Sequence, residues 1–145
     1  MGVANVEGAN GGLHTNYEGK TDAAIKALLE DGYDFAYIHV EAPDEMGHQG
    51  SMERKIQAVE NLDQRVIKRL VDALDTAKAE YRLLVLPDHP TPIRLRTHTA
   101  GNVPYLLFDS TDIKENVWNY NEKDAATSGV LIEEGHTLID RLFEK

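Results

Sequence analysis

A long amphipathic stretch between two short apolar runs is the feature that most limits how this chain can fold. The runs, residues 35–40 and 83–86, have the length and composition of buried strands. Between them, residues 52–77 carry apolar side chains at steps of three and four, which predicts a helix with a core-facing stripe: Ile56, Val59, Leu62, Val66, Leu70 and Leu74. A helix that connects two buried strands is typical of a βαβ crossover. The sequence therefore predicts an α/β fold with a mostly parallel sheet flanked by helices.

Shorter patterns complete the predicted fold. Residues 21–30 have one apolar face and a capping threonine, which predicts a helix, and residues 104–108 predict a third strand. Two short helices are expected in the tail, one opened by Asn121 and Asp124 and one over residues 135–143. Residues 1–16 are rich in glycine and asparagine and are expected to form a flexible loop. With 145 residues we expect a single domain, residues 1–145.

Composition narrows the classes of partner. The formal net charge of −10 argues against a nucleic-acid or membrane-surface partner, although a bound divalent cation would still allow an anionic substrate. The chain has no cysteine, which is compatible with the cytoplasm and removes thiolate metal ligands. No apolar run approaches the ~20 residues needed to cross a bilayer, and the first residues do not resemble a signal peptide. We expect a cytoplasmic protein.

Side chains that can bind a divalent metal follow both apolar runs. Asp44 and His48 come after the first run, Asp88 and His89 come after the second, and His98 lies in the next loop. Ligands bind beyond the carboxyl ends of strands in open α/β sheets, and mixed oxygen and nitrogen donors suit Zn or Mn. Each pair alone is a weak signal, but together the five residues predict a metal site.

Two arginines lie between the predicted metal loops. Arg94 and Arg96 could bind a phosphate group, because a guanidinium offers a bidentate fork to such an anion. Solvated loop arginines are the alternative interpretation, and the sequence leaves both open.

Three longer strings contain these residues: residues 16–20 (NYEGK), residues 39–48 (HVEAPDEMGH) and residues 86–99 (LPDHPTPIRLRTHT). They resemble the cofactor-independent phosphoglycerate mutases of the archaeal type, a branch of the alkaline phosphatase superfamily in which some members are labelled homoserine kinases. The resemblance extends over nearly the whole chain, from about residue 7 to residue 143.

The resemblance implies a partial alkaline-phosphatase-like core that binds two divalent metal ions, Mn or Zn. It implies one metal site formed by Asp44, His48 and His98, and a second formed in part by Asp88 and His89. The implied parent enzyme is a glycolytic isomerase. It would interconvert 3-phosphoglycerate and 2-phosphoglycerate through a phospho-enzyme formed on a serine or threonine between the metals.

The sequence departs from that family pattern in one important respect. It contains no recognisable region for the nucleophile, for the remaining aspartate ligand or for the cap domain that binds substrate. We therefore expect a C-terminal segment of a longer enzyme, inactive on its own. Two other classes stay open: another phosphatase or phosphotransferase of the same superfamily, and a non-catalytic module that associates with itself through an open sheet edge.

Overall fold

The computed structural model describes residues 2–115 and 117–144, which fall into two compact units. The first unit comprises Met1–Ala79 and Thr91–Thr99, and the second comprises Glu80–Pro90 and Ala100–Lys145. The single domain expected over residues 1–145 stays a prediction. None of the helices in the described part of the chain combines the length and hydropathy that a membrane crossing requires.

Helices dominate the first unit. They are α1 (Tyr17–Leu29), α2 (Ala42–His48), α3 (Met52–Leu62) and α4 (Lys68–Thr76), and a π-helical turn, Asp63–Ile67, connects α3 directly to α4. The predicted helix over residues 52–77 is thus confirmed as one continuous helical stretch with a π turn inside it. Helix α1 begins earlier than expected because the Asn16 side chain accepts a hydrogen bond from the Gly19 amide, a typical N-cap.

The core of the first unit includes the buried face of α2. Its buried apolar residues are Leu13, Tyr17, Ala42, Met46, Ala58 and Val66, with Ile38 and Val40 packed against them. The Tyr17 hydroxyl donates to the Leu13 carbonyl, so the one polar atom of this aromatic side chain is satisfied inside the core. The core-facing stripe predicted for residues 52–77 is confirmed for Val66, Leu70 and Leu74 and is wrong for Ile56 and Val59, each 51% exposed.

Residues 2–16 contain no helix or strand, as expected for a loop. Hydrogen bonds nevertheless define its path: the Asn16 side-chain amide donates to the Glu7 carbonyl, and the Asn10 amide donates to the Thr15 hydroxyl. Thr15 is fully buried. The flexibility expected of this loop stays a prediction.

The sheet differs from the predicted one. In residues 2–115 and 117–144 it consists of β1 (Arg82–Val85) and β2 (Leu106–Asp109), which pair antiparallel with Arg82 opposite Asp109. Residues 35–40 are not part of a strand, although Ile38 and Val40 do pack on the core. The mostly parallel sheet is therefore unconfirmed, and only the mixed helix and strand character of the α/β prediction holds. The burial predicted for this run is also wrong in part, since Phe35 is 42% exposed and Tyr37 is 74% exposed. An apolar run indicates neither which strand a segment pairs with nor whether a neighbour covers it.

The second unit is built around this strand pair. The Arg82 guanidinium donates to the Asp109 carboxylate at 2.6 Å and to the Glu144 carbonyl, so it ties the sheet to the end of the chain. Hydrogen bonds from Thr111 and Arg82 hold the pKa of Asp109 well below its usual range. Helix α5 (Glu122–Thr127), capped by Asn121, and a 3-10 helix (Gly135–Leu142) confirm the two helices expected in the tail.

Candidate metal centre

Helix α2 supplies two of the candidate ligands. Pro43 lies in the first turn of the helix, where its missing amide proton costs nothing, and Asp44 and His48 follow on one face at a spacing of four residues. Asp44 Oδ2 lies 3.3 Å from His48 Nε2. Both side chains are about one-third exposed, so they face solvent from the edge of the core.

The loop of residues 91–99 brings the third side chain to the same place. His98 Nε2 lies 3.0 Å from His48 Nε2 and 3.4 Å from Asp44 Oδ1. The three side chains form a group whose donor atoms all lie within 4.8 Å of one another. All three belong to the first unit. Residues 50 positions apart in the sequence thus converge on one point.

The spacing of these donor atoms fits a divalent metal ion. Imidazole nitrogen and carboxylate oxygen bind Zn at about 2.0–2.2 Å, which places neighbouring donors of a tetrahedral site about 3.3–3.6 Å apart. The observed separations of 3.0, 3.3 and 3.4 Å are close to that range. Three protein donors also leave a coordination position for a substrate or water, as in catalytic rather than structural metal sites.

A backbone carbonyl orients the His48 ring. His48 Nδ1 lies 3.0 Å from the Arg96 carbonyl oxygen, so Nδ1 carries the proton and donates it. This hydrogen bond leaves the lone pair of Nε2 directed toward Asp44 and His98, which is the usual arrangement behind a metal-ligating histidine. Arg96 adopts a positive φ of 54°, and such a non-glycine conformation costs on the order of 1 kcal/mol.

Thr91 and Lys55, which carry no sequence signal of a metal site, support the centre. Thr91 is 5% exposed, its hydroxyl donates to Asp44 Oδ1, and its carbonyl accepts from Lys55 Nζ at 2.7 Å. A Cβ atom at Gly47 would lie 2.6 Å from that same carbonyl oxygen. The glycine therefore allows the loop to approach α2 closely. A threonine between two prolines gives no sequence signal for such a contact, because its partners lie 36 and 47 residues away.

The other predicted site residues are two candidate metal ligands and two arginines. Asp88 and His89 belong to the second unit and contact each other: Asp88 Oδ2 lies 3.3 Å from His89 Nε2. Arg94 and Arg96 are exposed, and the Arg96 guanidinium lies against Gly50, just beyond α2. The structure thus brings Asp44, His48 and His98 together within the first unit, and Asp88 lies beside His89 within the second.

A carboxylate and two imidazoles whose donor atoms converge on one point form a candidate site for a divalent metal ion. Comparison with known proteins agrees. The chain belongs to the Metalloenzyme superfamily, whose family model matches residues 1–142.

Two relatives carry mutase names. A protein of Geobacter sulfurreducens named "Probable 2,3-bisphosphoglycerate-independent phosphoglycerate mutase" is 44% identical to this chain. The match covers all of this chain and 36% of that protein. The 2,3-bisphosphoglycerate-independent phosphoglycerate mutase 2 of Methanothermobacter thermautotrophicus is 45% identical, over 96% of this chain and 34% of its own length. The chain therefore spans about a third of the length of these relatives.

A solved structure shows a similar fold. The PH0037 protein from Pyrococcus horikoshii matches 98% of this chain and 42% of its own chain with a TM-score of 0.82 and 26% sequence identity.

Proposed function

We propose that this chain is the C-terminal, metal-binding segment of a 2,3-bisphosphoglycerate-independent phosphoglycerate mutase. The parent enzyme would interconvert 3-phosphoglycerate and 2-phosphoglycerate through a phospho-enzyme. The observation that carries the proposal is the convergence of Asp44, His48 and His98 at metal-binding distances in a chain similar to enzymes of that name.

In this proposal Asp44, His48 and His98 bind one divalent ion, Mn or Zn. Asp88 and His89 contribute to a second ion together with residues outside this chain. Such ions neutralise phosphate oxygens and lower the pKa of a coordinated hydroxyl. The tautomer of His48, fixed by the Arg96 carbonyl, keeps one imidazole nitrogen available as a donor. Arg94 and Arg96 would bind the phosphate or carboxylate of the substrate through their guanidinium groups.

The nucleophile of the reaction is proposed to lie outside this chain. Ser51, the serine nearest to α2 in the sequence, has a structural position: it is the N-cap of α3, and its hydroxyl oxygen accepts from the Arg54 amide. This capping hydrogen bond accounts for the Ser51 hydroxyl as a structural group, so we do not assign it as the nucleophile. The isolated chain is therefore expected to bind metal without turning over phosphoglycerate.

A titration of MnCl₂ into the purified chain by calorimetry tests the metal assignment. Replacement His98→Ala removes one of three donors and should weaken Mn²⁺ binding by more than tenfold. His14→Ala is the matched control, because His14 is exposed on the loop before α1. Equal affinities of the two variants would contradict the assignment of His98.

A turnover assay tests the rest of the proposal. The chain with Mn²⁺ should not convert 3-phosphoglycerate to 2-phosphoglycerate above the level of a His48→Ala variant. Turnover above that level would show that the chain contains its own nucleophile. Conversion of generic phosphate esters in place of phosphoglycerate by the full-length protein would favour another phosphatase or phosphotransferase of the superfamily.

A further inference from the structure

The contacts of Thr91 carry an inference about how the metal centre is held, and it rests on the metal assignment proposed above. We propose that Thr91 is the positioning residue of the ligand Asp44, and that Lys55 fixes Thr91 in turn. Neither residue belongs to the donor set, and neither was singled out by its sequence context.

The two oxygens of the Asp44 carboxylate have different neighbours. Its Oδ1 accepts a hydrogen bond from the Thr91 hydroxyl, while Oδ2 lies 3.3 Å from His48 Nε2. An aspartate side chain rotates readily about its last torsion, which is broad and roughly two-fold. The Thr91 hydroxyl restricts that rotation, because the plane of the carboxylate must keep one oxygen on the hydroxyl and the other toward His48.

Thr91 is itself held in place by neighbouring residues. A hydroxyl can orient a carboxylate only if its own backbone is fixed, and Thr91 lies in a loop between two prolines. Two contacts hold it there: Lys55 Nζ on α3 donates to the Thr91 carbonyl at 2.7 Å, and the same carbonyl packs over Gly47 of α2. The side chain is 5% exposed, so water competes little for its hydrogen bond.

Lys55 brings a positive charge to the loop. Its ammonium group donates to a neutral carbonyl on the loop, so it stabilises the loop position through a charge-assisted bond. The same loop supplies His98, so one anchoring point at Thr91 serves two ligands. It holds the carboxylate of Asp44 directly and places His98 through the loop backbone.

The consequence is a specific dependence of metal affinity on a hydroxyl group. Outer partners that orient metal ligands typically change metal affinity by about 10–100-fold when they are removed. Thr91→Val keeps the shape of the side chain and removes the hydroxyl, so it should weaken Mn²⁺ binding within that range. Thr91→Ser keeps the hydroxyl and should restore affinity to within about threefold of the original chain.

The experiment is a calorimetric titration of MnCl₂ into the original chain and both variants at one pH. Circular dichroism should verify first that each metal-free variant is folded. Weakening by Thr91→Val together with rescue by Thr91→Ser supports the proposal. An unchanged affinity of Thr91→Val, or equal losses in both variants, would overturn it, since equal losses indicate lost packing rather than lost orientation.

Lys55→Met provides the second variant, and it serves alone if Thr91→Val does not fold. It removes the charged donor and keeps much of the apolar stem, so it should weaken Mn²⁺ binding by loosening Thr91 while the Thr91 hydroxyl itself remains. Unchanged affinity in Lys55→Met would overturn the role of Lys55. Failure of the proposed metal centre is distinguishable: in that case the original chain itself does not bind Mn²⁺, or His98→Ala binds as tightly as the original chain.

Discussion

Gly47 lies at the point where α2 meets the loop that carries His98. Two effects of an added methyl group oppose each other there. Alanine favours a helix over glycine by about 1 kcal/mol. A Cβ at this position, however, would lie 2.6 Å from the Thr91 carbonyl oxygen, and a backbone atom cannot move aside as a flexible side chain can. The steric effect should therefore exceed the gain in helix propensity.

We expect Gly47→Ala to lower the free energy of unfolding by about 1–3 kcal/mol, the usual cost of overpacking a well-packed site. Urea unfolding followed by circular dichroism measures the change. Gly101→Ala is the control, since Gly101 lies outside the helices and strands and its added Cβ would make only an ordinary contact of 3.7 Å with Pro90 Cγ; its effect should stay within about 0.5 kcal/mol. A Gly47→Ala variant as stable as the original chain would show that the loop can shift.

The ion pair between Glu18 and Arg65 gives a prediction about pH. The Arg65 guanidinium binds both carboxylate oxygens, at 2.5 and 2.7 Å, and this hydrogen bonding lowers the pKa of Glu18 from its ordinary value of 4.5. Because the folded pKa is the lower one, the pair stabilises the protein above pH 4.5 and loses that contribution as the pH falls below it.

Glu18→Gln should therefore reduce stability at pH 7 and have progressively less effect below pH 4.5. The reduction should be under about 1 kcal/mol, because both side chains are more than one-third exposed to solvent. Urea unfolding at a series of pH values measures it, with Glu115→Gln as an exposed control. An equal difference from the original chain at pH 3 and pH 7 would contradict the assignment to this ion pair.

At the scale of elements, α3 and α4 share one sequence pattern and differ in burial. Leu70 and Leu74 of α4 are buried, whereas Ile56 and Val59 of α3 are half-exposed. Periodicity predicts that a helix has an apolar face. It does not indicate whether a neighbour covers that face.

The difference in burial between α3 and α4 should appear in the free energy of unfolding of variants. Leu70→Ala is expected to cost about 2–5 kcal/mol through lost burial and the cavity it leaves. Ile56→Ala should cost less than about 1 kcal/mol, because half of that side chain already contacts water. Urea unfolding of the two variants compares them directly. Equal losses would contradict the difference in burial between α3 and α4.

The sequence predicts features that depend on local periodicity, and it does not predict contacts that depend on distant residues. The helices over residues 17–29 and 52–76 were predictable because their hydrogen bonds and periodicity are local. The apolar run of residues 35–40 predicts a strand, but whether a strand forms depends on a distant partner that the run does not indicate. Asp44 and His48 were predictable from their spacing, but their contacts with His98 and Thr91 depend on the folding of a loop almost 50 residues away.

At the scale of the whole molecule, the large negative charge and an exposed apolar stripe on α3 have opposite effects on self-association. Met52, Ile56 and Val59 lie at helical spacing along α3, and each is more than half exposed. Uncovered apolar stripes of this kind are typical of interaction surfaces. The net charge of −10 acts against self-association at low ionic strength, since two identical chains repel each other.

Salt should therefore promote association of this chain. The screening length falls from about 30 Å at 0.01 M to about 10 Å at 0.1 M, so repulsion weakens while apolar burial is retained. Light scattering should show a mass that rises with salt and with protein concentration and does not change on chelation of metal.

Ile56→Glu should prevent the rise, because it places a charge in the stripe. Val3→Glu adds the same charge at a side chain that is 95% exposed and outside α3, so it should reduce association far less. A mass that stays monomeric at every salt concentration, or equal effects of the two variants, would show that the α3 stripe does not mediate self-association.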